Sequence, residues 1–438
     1  MWKLVKMKKF VINSISAFQF FQLARYSTLI LIGIVFTKTI LTQQEIGEYE
    51  TFVFIAGAVS SFWLNGLLKA LLPLSFEKNA QAPFFSAFVL ISFLSLLVAG
   101  LLVLIRPALS EFLLNGKSIP ELTLLLVYLV IGVPANLVES FYLIKKKNKA
   151  LIIFAIVSFS VQFLLVVMPA VLGYSVRFSL AGLVASAILR YLWLWGLFIY
   201  YNEIRVSFSF IKRHLNLGGP LVAATFLSGS AHVIDGFIVT SHFDERTFAV
   251  FRYGARELPL AMLLANALNS AMLPEFANKE NLRQNLKKLK LNITRLMHFL
   301  FPVTAVLLLL AHPVFPVLFN PQFAESATIF NIYLLLIISR LLMPQTILNG
   351  LKLTKPIMTA SFFELLLNVS LSLIFVQFWG IAGIAFATFA AYLFEKIYLI
   401  ISVKRKLNIN LAEYHPVRYF IIYSLSILVI FIFAEILF

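Results

Sequence analysis

The sequence predicts an all-α polytopic membrane protein, and three observations carry that reading. Of 438 residues, 61% are hydrophobic and only 13% charged, whereas an ordinary soluble domain is about half apolar and a quarter charged. The mean hydropathy is +0.93, more apolar side chain than a water-soluble interior can hide. The apolar residues also form unbroken runs long enough to cross a bilayer as helices, which takes about 20 residues. They do not alternate with polar ones over ~10-residue strands, as a transmembrane barrel requires.

Taken in order, the spans fall near 18–41, 52–76, 83–105, 122–144, 150–172, 178–201, 218–241, 250–273, 291–312, 326–348, 356–378, 380–403 and 418–437. These are about thirteen crossings with short connections. The first is preceded by lysines, as a signal peptide is, but it lacks a small-residue cleavage site and reads as a retained helix. Around 275–295, Leu282, Leu286, Leu289 and Ile293 recur at helical spacing beside lysines. That segment is either a helix lying at the membrane interface or an extension of the ninth span. Pro134, Pro302 and Pro344 lie within spans and Gly218-Gly219-Pro220 opens the seventh, and each proline removes a backbone hydrogen bond and favours a kink.

Membrane transporters are often built from internal repeats with the substrate site at their interface. Here Ile34 stands fifteen residues before Tyr49, and Ile238 stands fifteen before Tyr253. The expected organisation is two six-helix lobes, 1–205 and 206–405, in a pseudo-twofold arrangement around a central cavity. An additional transmembrane helix occupies 406–438.

Lysine and arginine set the orientation. With the N-terminus in the cytoplasm, that side receives Lys3, Lys6, Lys8 and Lys9, the Lys145–Lys149 cluster, the basic 279–295 segment and Lys404, Arg405 and Lys406. The opposite side receives only Arg106, Lys117, Arg177 and Arg246. The net charge of +17 is thereby assigned to loops lying against anionic headgroups, and nucleic-acid binding is not expected.

Several chemistries are excluded. There is no cysteine, hence no disulfide, thiolate metal site or Cys nucleophile. The chain has no GxxxxGK[ST] and so carries no ATP-hydrolysing P-loop of its own. No HExxH or close His/carboxylate cluster predicts a metal site, and the connections between spans are too short for an external catalytic domain.

In order along the chain stand Ile46-Gly47-Glu48-Tyr49, Gly218-Gly219-Pro220, Asp235-Gly236-Phe237-Ile238-Val239, Tyr253-Gly254-Ala255, Leu273-Pro274 and Asn349-Gly350-Leu351-Lys352. Their order and spacing within this hydropathy profile resemble the polysaccharide transporter family, the O-antigen and exopolysaccharide flippases of the MOP exporter superfamily, over about residues 18–405. The sequence departs from the family pattern at Gly236, Thr240 and Arg256. The resemblance implies a flippase that moves an oligosaccharide on a polyprenyl pyrophosphate carrier across the bacterial inner membrane. It also implies a polysaccharide polymerase and glycosyltransferases as partners in lipopolysaccharide or other surface-polysaccharide biosynthesis.

An ionisable residue deep in a span costs at least ~2.5–3.5 kcal/mol and is expected to face a partner or an aqueous cavity. Arg25, Lys69 and Arg340 fall in the cytoplasmic half, Arg190 near the middle, and Arg252 and Arg256 at the outer ends. Together they form a candidate cationic path for an anionic headgroup, since Arg offers phosphate a planar fork of donors and Lys a point charge. Lys38, at a helix end, snorkels. Glu395 and Lys396, adjacent and near the inner interface, read as locally solvated. Asp235, Glu139, Glu257 and Glu364 are the candidate ion-coupling or gating acids, with Glu139 also a candidate ion-pair partner of Arg190 and Asp235 of Arg252 or Arg256. No cofactor is expected; with no ATP site, directional work would come from H+ or Na+ coupling or from removal of product. The alternatives are a multidrug and toxin extrusion-type cation antiporter, a lipid II flippase, and a membrane-embedded glycan polymerase.

Overall fold

The computed structural model describes residues 14–76, 82–255, 259–277, 281–351 and 353–437, and their regular structure is helical. The first six expected spans are α1 (Ser14–Phe36), α2 (Gln43–Ser75), α3 (Pro83–Leu113), α4 (Leu122–Ile144), α5 (Asn148–Val171) and α6 (Val176–Tyr200). There follow α7 (Phe208–His242), α8 (Glu245–Gly254), α9 (Pro259–Ala277) and α10 (Leu282–Leu318). The chain ends with α11 (Glu325–Arg340), α12 (Pro344–Gly350), α13 (Lys355–Leu407) and α14 (Val417–Leu437).

Among the described residues nine helices are long and apolar enough to cross a membrane, or ten if α11 and α12, bent by 49°, form one broken span. α13 alone has 53 residues, which at 1.5 Å each is about 80 Å, more than two bilayer crossings. It is two spans joined at Gly380, whose φ of 54° and ψ of −136° break the helical path. A side chain there would resist that conformation, so the split expected near this glycine falls where the backbone turns. With α7 and α9, the helices accommodate the crossings read from the sequence.

Two segments differ in detail from the sequence reading. In the eighth span α8 ends at Gly254, and the described part of the next helix, α9, covers Pro259–Ala277. The basic 282–295 segment is the first part of one continuous 37-residue helix, α10, so it extends the ninth span. Its apolar stripe, Leu286, Leu289 and Ile293, is buried against protein.

The contacts group into two compact units. One comprises Met1–Leu41, Val59–Leu104 and Glu121–Ala223; the other comprises Thr42–Ala58, Ile105–Pro120 and Ala224–Phe438. In the first unit, Phe21 of α1 stacks on Phe154 of α5 at 6.1 Å. Phe85 and Phe88 of α3 meet Phe198 and Trp195 of α6 edge-on, a favoured geometry for aromatic pairs. α4 widens to a π-helix over Tyr128–Gly132 immediately before Pro134. The proline ring crowds the preceding turn and cannot donate, and such bulges recur at functional sites.

In the second unit Tyr253, 1% exposed, lies between Phe319 and Phe323 with ring centroids 5.0 and 4.9 Å away. The last helix is held to α10 and α11 by polar clasps inside otherwise apolar helices. His298 Nδ1 and the Tyr423 hydroxyl are 2.6 Å apart, and Tyr423 stacks on Phe301. Near the far end of α14, Glu435 accepts from Asn331 Nδ2 at 2.7 Å and Thr328 Oγ1 at 2.9 Å, and lies 3.0 Å from His312 Nε2. A carboxylate at such a depth is expected to be satisfied in this way.

His415, in the turn before α14, is fully buried, and burial pushes its ring down from 6.5 to about 4, partly offset by the Leu341 backbone. Folding therefore favours the neutral ring, a contribution fully present above pH 6.5 and lost as the pH falls through 6.5 towards 4. The shift corresponds to roughly 3 kcal/mol at most. Thermal unfolding of the detergent-solubilised protein is expected to fall steeply between pH 6.5 and 4, and the fall should flatten in His415→Gln. An unchanged pH profile in that variant would assign the acid sensitivity elsewhere.

Candidate functional site

The second unit holds a seam of buried polar side chains within apolar helices. On α13, Glu364, Asn368 and Ser372 recur every four residues and so share one face, and all three are buried. Past the Gly380 turn, Thr388 faces them: its hydroxyl donates to Asp235 Oδ2 of α7 at 2.6 Å and receives Asn368 Nδ2 at 3.1 Å. The Tyr333 hydroxyl of α11 reaches the same carboxylate oxygen at 3.4 Å. Asp235 is 1% exposed. Asn368 Oδ1 and Ser372 Oγ are buried without hydrogen-bond partners, although such groups are normally satisfied. The seam thus holds two carboxylates, Asp235 and Glu364, with neutral oxygens, two of which have capacity to spare, a donor set suited to a hard cation.

A second feature of the same unit is a cavity, part of it open to solvent. Met262, Asn266 and Asn269 of α9 line it with Arg340, Gln345 and Lys396. The break between α11 and α12, at Leu341–Met343, places Arg340 and Gln345 on its two sides. The Arg340 guanidinium lies over the Tyr392 ring at 4.6 Å. Lys396 pairs with Glu395 at 2.8 Å, and both side chains are largely buried, 7% and 12% exposed. The solvated pair expected from the sequence is therefore a buried ion pair beside a cavity.

In the first unit, α1, α4 and α6 bring Arg25, Glu139 and Arg190 into electrostatic reach of one another, with Tyr128 of the π-helical turn hydrogen-bonded to Arg190. Glu139 is 9% exposed, and its Oε2 has no hydrogen-bond partner. Arg25 is exposed and Arg190 partly so. This is a basic group with one internal acid, where the sequence placed either a cavity wall or a structural ion pair. Lys69, on α2, is exposed.

Arg252 lies on α8 in the second unit. Its Nε is 3.5 Å from Glu50 Oε2, and its guanidinium lies over Phe54. Beside it, Lys117 pairs with Glu245 at 2.7 Å, Arg246 bonds Gln43, and Gln43 donates to the Gln322 carbonyl at 2.7 Å. Gly47 sits where a side chain would strike the Glu245 backbone, which lets α2 and α8 approach closely. Asp244 caps α8 through the Thr247 N–H at 2.8 Å, and Thr247 holds its carboxyl below the usual range. Arg256 and Glu257 lie outside the described residues.

In the second unit Asp235 and Glu364 lie in the polar seam, Arg340 lines the amide-rich cavity, and Arg252 joins the ion-pair group around Glu50. Thr388, Asn368, Gln345 and Asn269 complete these sites and were not singled out by the sequence, because neutral polar residues in an apolar helix leave no charge signal. Glu364, Asn368 and Ser372 at i, i+4, i+8 would have been the available pattern.

Residues 38–328 match the model of a family described as polysaccharide biosynthesis protein. Nothing among curated proteins matches the chain. Solved structures do. The inward closed conformation of the lipid II flippase MurJ is 19% identical with a TM-score of 0.69, covering 94% of this chain and 91% of that one. An inward-facing multidrug resistance MATE family transporter of the MOP superfamily is 14% identical with a TM-score of 0.62, over 90% and 98% of the two chains. A MOP superfamily transporter from Pyrococcus furiosus, noted for reverse polarity of its binding pocket, is 13% identical with a TM-score of 0.54, over 91% and 95%. At these identities the likeness is one of fold.

Proposed function

The chain belongs to the polysaccharide biosynthesis protein family of MOP-type membrane transporters, and from that premise we propose that it is a flippase for a polyprenyl-pyrophosphate-linked oligosaccharide, working by alternating access. The observation that supports this substrate is the polarity of the sites. Basic side chains gather within apolar helices in both units, Arg25 with Arg190 in one and Arg340 with Lys396 in the other. A cation held away from bulk water, as Lys396 is, interacts more strongly with a phosphate than it would in solvent, while the lipid tail remains in the bilayer. In this reading the protein works in the bacterial inner membrane with its N-terminus in the cytoplasm, and the lysine distribution supports that orientation. Its repeat units would come from glycosyltransferases and pass to a polymerase. In the same reading Asp235, with Thr388, Asn368 and Ser372, takes up a coupling cation, Na+ or H+.

The buried acids of the seam also suit a multidrug and toxin extrusion-type cation antiporter, and the MATE neighbours are multidrug resistance transporters, so one experiment addresses both readings. Purified protein is reconstituted in vesicles carrying a fluorescent polyprenyl-pyrophosphate oligosaccharide in one leaflet, and arrival in the other is read by lectin quenching. Translocation well above that of protein-free vesicles is expected. Absence of translocation at all gradients, with uptake of an organic cation instead, would replace the flippase reading by the antiporter.

A further inference from the structure

We infer that α10 and α14 together hold an anionic phospholipid at the membrane surface: Arg295 and Arg418 take its phosphate, and its acyl chains lie on Phe299, Ile422 and Leu425. The inference needs only that these two helices cross a membrane, and it holds whichever cargo the protein moves.

Three features carry it. The first is the alignment of the two helices. Lys290 Nζ donates to the Ala412 carbonyl at 2.6 Å, in the short helical turn before α14. Further along, His298 meets Tyr423, and His312 meets Glu435. These partners are 122, 125 and 123 positions apart in the chain. So constant an offset means that α10 and α14 run parallel along the length of α14. With 21 residues, α14 spans about 31 Å at 1.5 Å per residue, close to the ~30 Å of a bilayer core. Its first turn therefore lies at the membrane surface, and the alignment brings Arg295 and His298 of α10 to the same level.

The second feature is the order of the side chains. From this surface inward α10 presents Arg295, His298 and Phe299, and α14 presents Arg418, Tyr419 and Ile422, all of them exposed. The His298 and Tyr419 rings meet edge-on with centroids 5.1 Å apart, which joins the two series. Leu425, also exposed, continues the apolar end. Each helix thus descends from cation through aromatic ring to apolar side chain, the order of phosphate, glycerol backbone and acyl chain in a phospholipid. Long side chains on a helix lean toward its N-terminus, so both arginines lean outward to the headgroups, where such side chains snorkel.

The third is charge. α10 contains no acidic residue, and α14 has only Glu435, toward its other end. Glu413, in the turn between α13 and α14, accepts the Asn410 N–H at 2.7 Å as part of a capping box. Among the described residues Lys287, Arg295 and Arg418 have no ion pair. Lys287 stands three turns further out on the face of α10 that carries His298. This excess of positive charge attracts an anionic headgroup and repels the ammonium of a zwitterionic one.

The test is thermal unfolding of the full-length protein in nonionic detergent with added phosphatidylglycerol, phosphatidylcholine of the same acyl chains, or soluble glycerol 1-phosphate. Phosphatidylglycerol is expected to raise the midpoint by roughly 4 °C or more over phosphatidylcholine, and glycerol phosphate to leave it unchanged. Arg295→Gln and Arg418→Gln should each lose about half of that rise, and the double variant all of it. Glutamine at Lys404, Arg405 and Lys406, exposed cations at the end of α13, should preserve it. Equal midpoints in the two lipids overturn the site, and that comparison needs no variant to fold. So does a rise retained in the double arginine variant, or one lost equally in the α13 variant, which is the result of diffuse charge. A rise with glycerol phosphate alone would make this a free-anion site. Binding of polyglutamate that the arginine variants abolish, with no lipid effect, would assign the surface to an acidic protein, and either result refutes the lipid.

Discussion

Alanine at Arg25 or at Arg340 is expected to abolish glycan export while the protein still inserts. A hydrogen bond to a charged group contributes ~1.5–3 kcal/mol, so loss of one phosphate-binding arginine corresponds to about 10- to 100-fold in cargo affinity, and export that depends on scarce lipid-linked cargo falls accordingly. The two positions differ in what lysine can restore. The Arg340 guanidinium lies over the Tyr392 ring at 4.6 Å, and a lysine would lose the planar fork that can meet a phosphate in two places. Arg25 is exposed on α1 and acts with Arg190 around Glu139, so a lysine there keeps most of the charge effect. Arg25→Lys should therefore recover more export than Arg340→Lys. The measurement is surface glycan in cells whose membranes contain normal amounts of each variant. Full export by both alanine variants would remove the arginines from the cargo path.

The contrast between these residues shows what the sequence could convey. Helix existence was legible from run length, since a bilayer demands about 20 apolar residues whatever the packing. The turn at Gly380 was legible from its glycine. The continuity of α10 was not, because lysines beside leucines at helical spacing suit either an interfacial helix or a helix projecting beyond the membrane. Only the burial of Leu286, Leu289 and Ile293 separates the two. Arg340 stood out as a cation too deep to snorkel. Lys396, in the same cavity, did not: near a helix end a lysine next to a glutamate usually signals solvent, and nothing in the chain reveals that Glu395 and Lys396 are covered by neighbouring helices. Thr388 was silent for another reason. A threonine in an apolar helix commonly bonds its own preceding turn, and the Thr388 hydroxyl lies within reach of the Ile384 carbonyl at 3.1 Å, a bond it makes in competition with the shorter one to Asp235. Its second role, the 2.6 Å bond to Asp235, depends on two helices being brought together, which is tertiary information.

Asp235→Asn is expected to abolish gradient-driven transport and leave downhill exchange in place. The substitution keeps the shape of the side chain and an oxygen able to accept the Thr388 hydroxyl at 2.6 Å, and removes only the charge that would hold a cation among neutral oxygens. If Asp235 is the coupling site, cargo binding elsewhere in the unit persists, exchange of labelled for unlabelled cargo proceeds, and accumulation driven by an imposed gradient stops. Running the proteoliposomes with a sodium gradient alone and a proton gradient alone identifies the ion, because only one should drive accumulation in the unaltered protein. Thr388→Val and Ser372→Ala supply a graded control. Each removes one neutral oxygen and leaves the carboxylate, so for sodium the half-saturating concentration should rise several-fold with the maximal rate kept, whereas a proton site would tolerate the loss of a neutral ligand far better. A structural role gives another pattern: exchange and driven transport fall together in Asp235→Asn, along with thermal stability. That result, or an unchanged driven rate, would remove Asp235 from coupling and leave it as a clasp joining α7, α11 and α13.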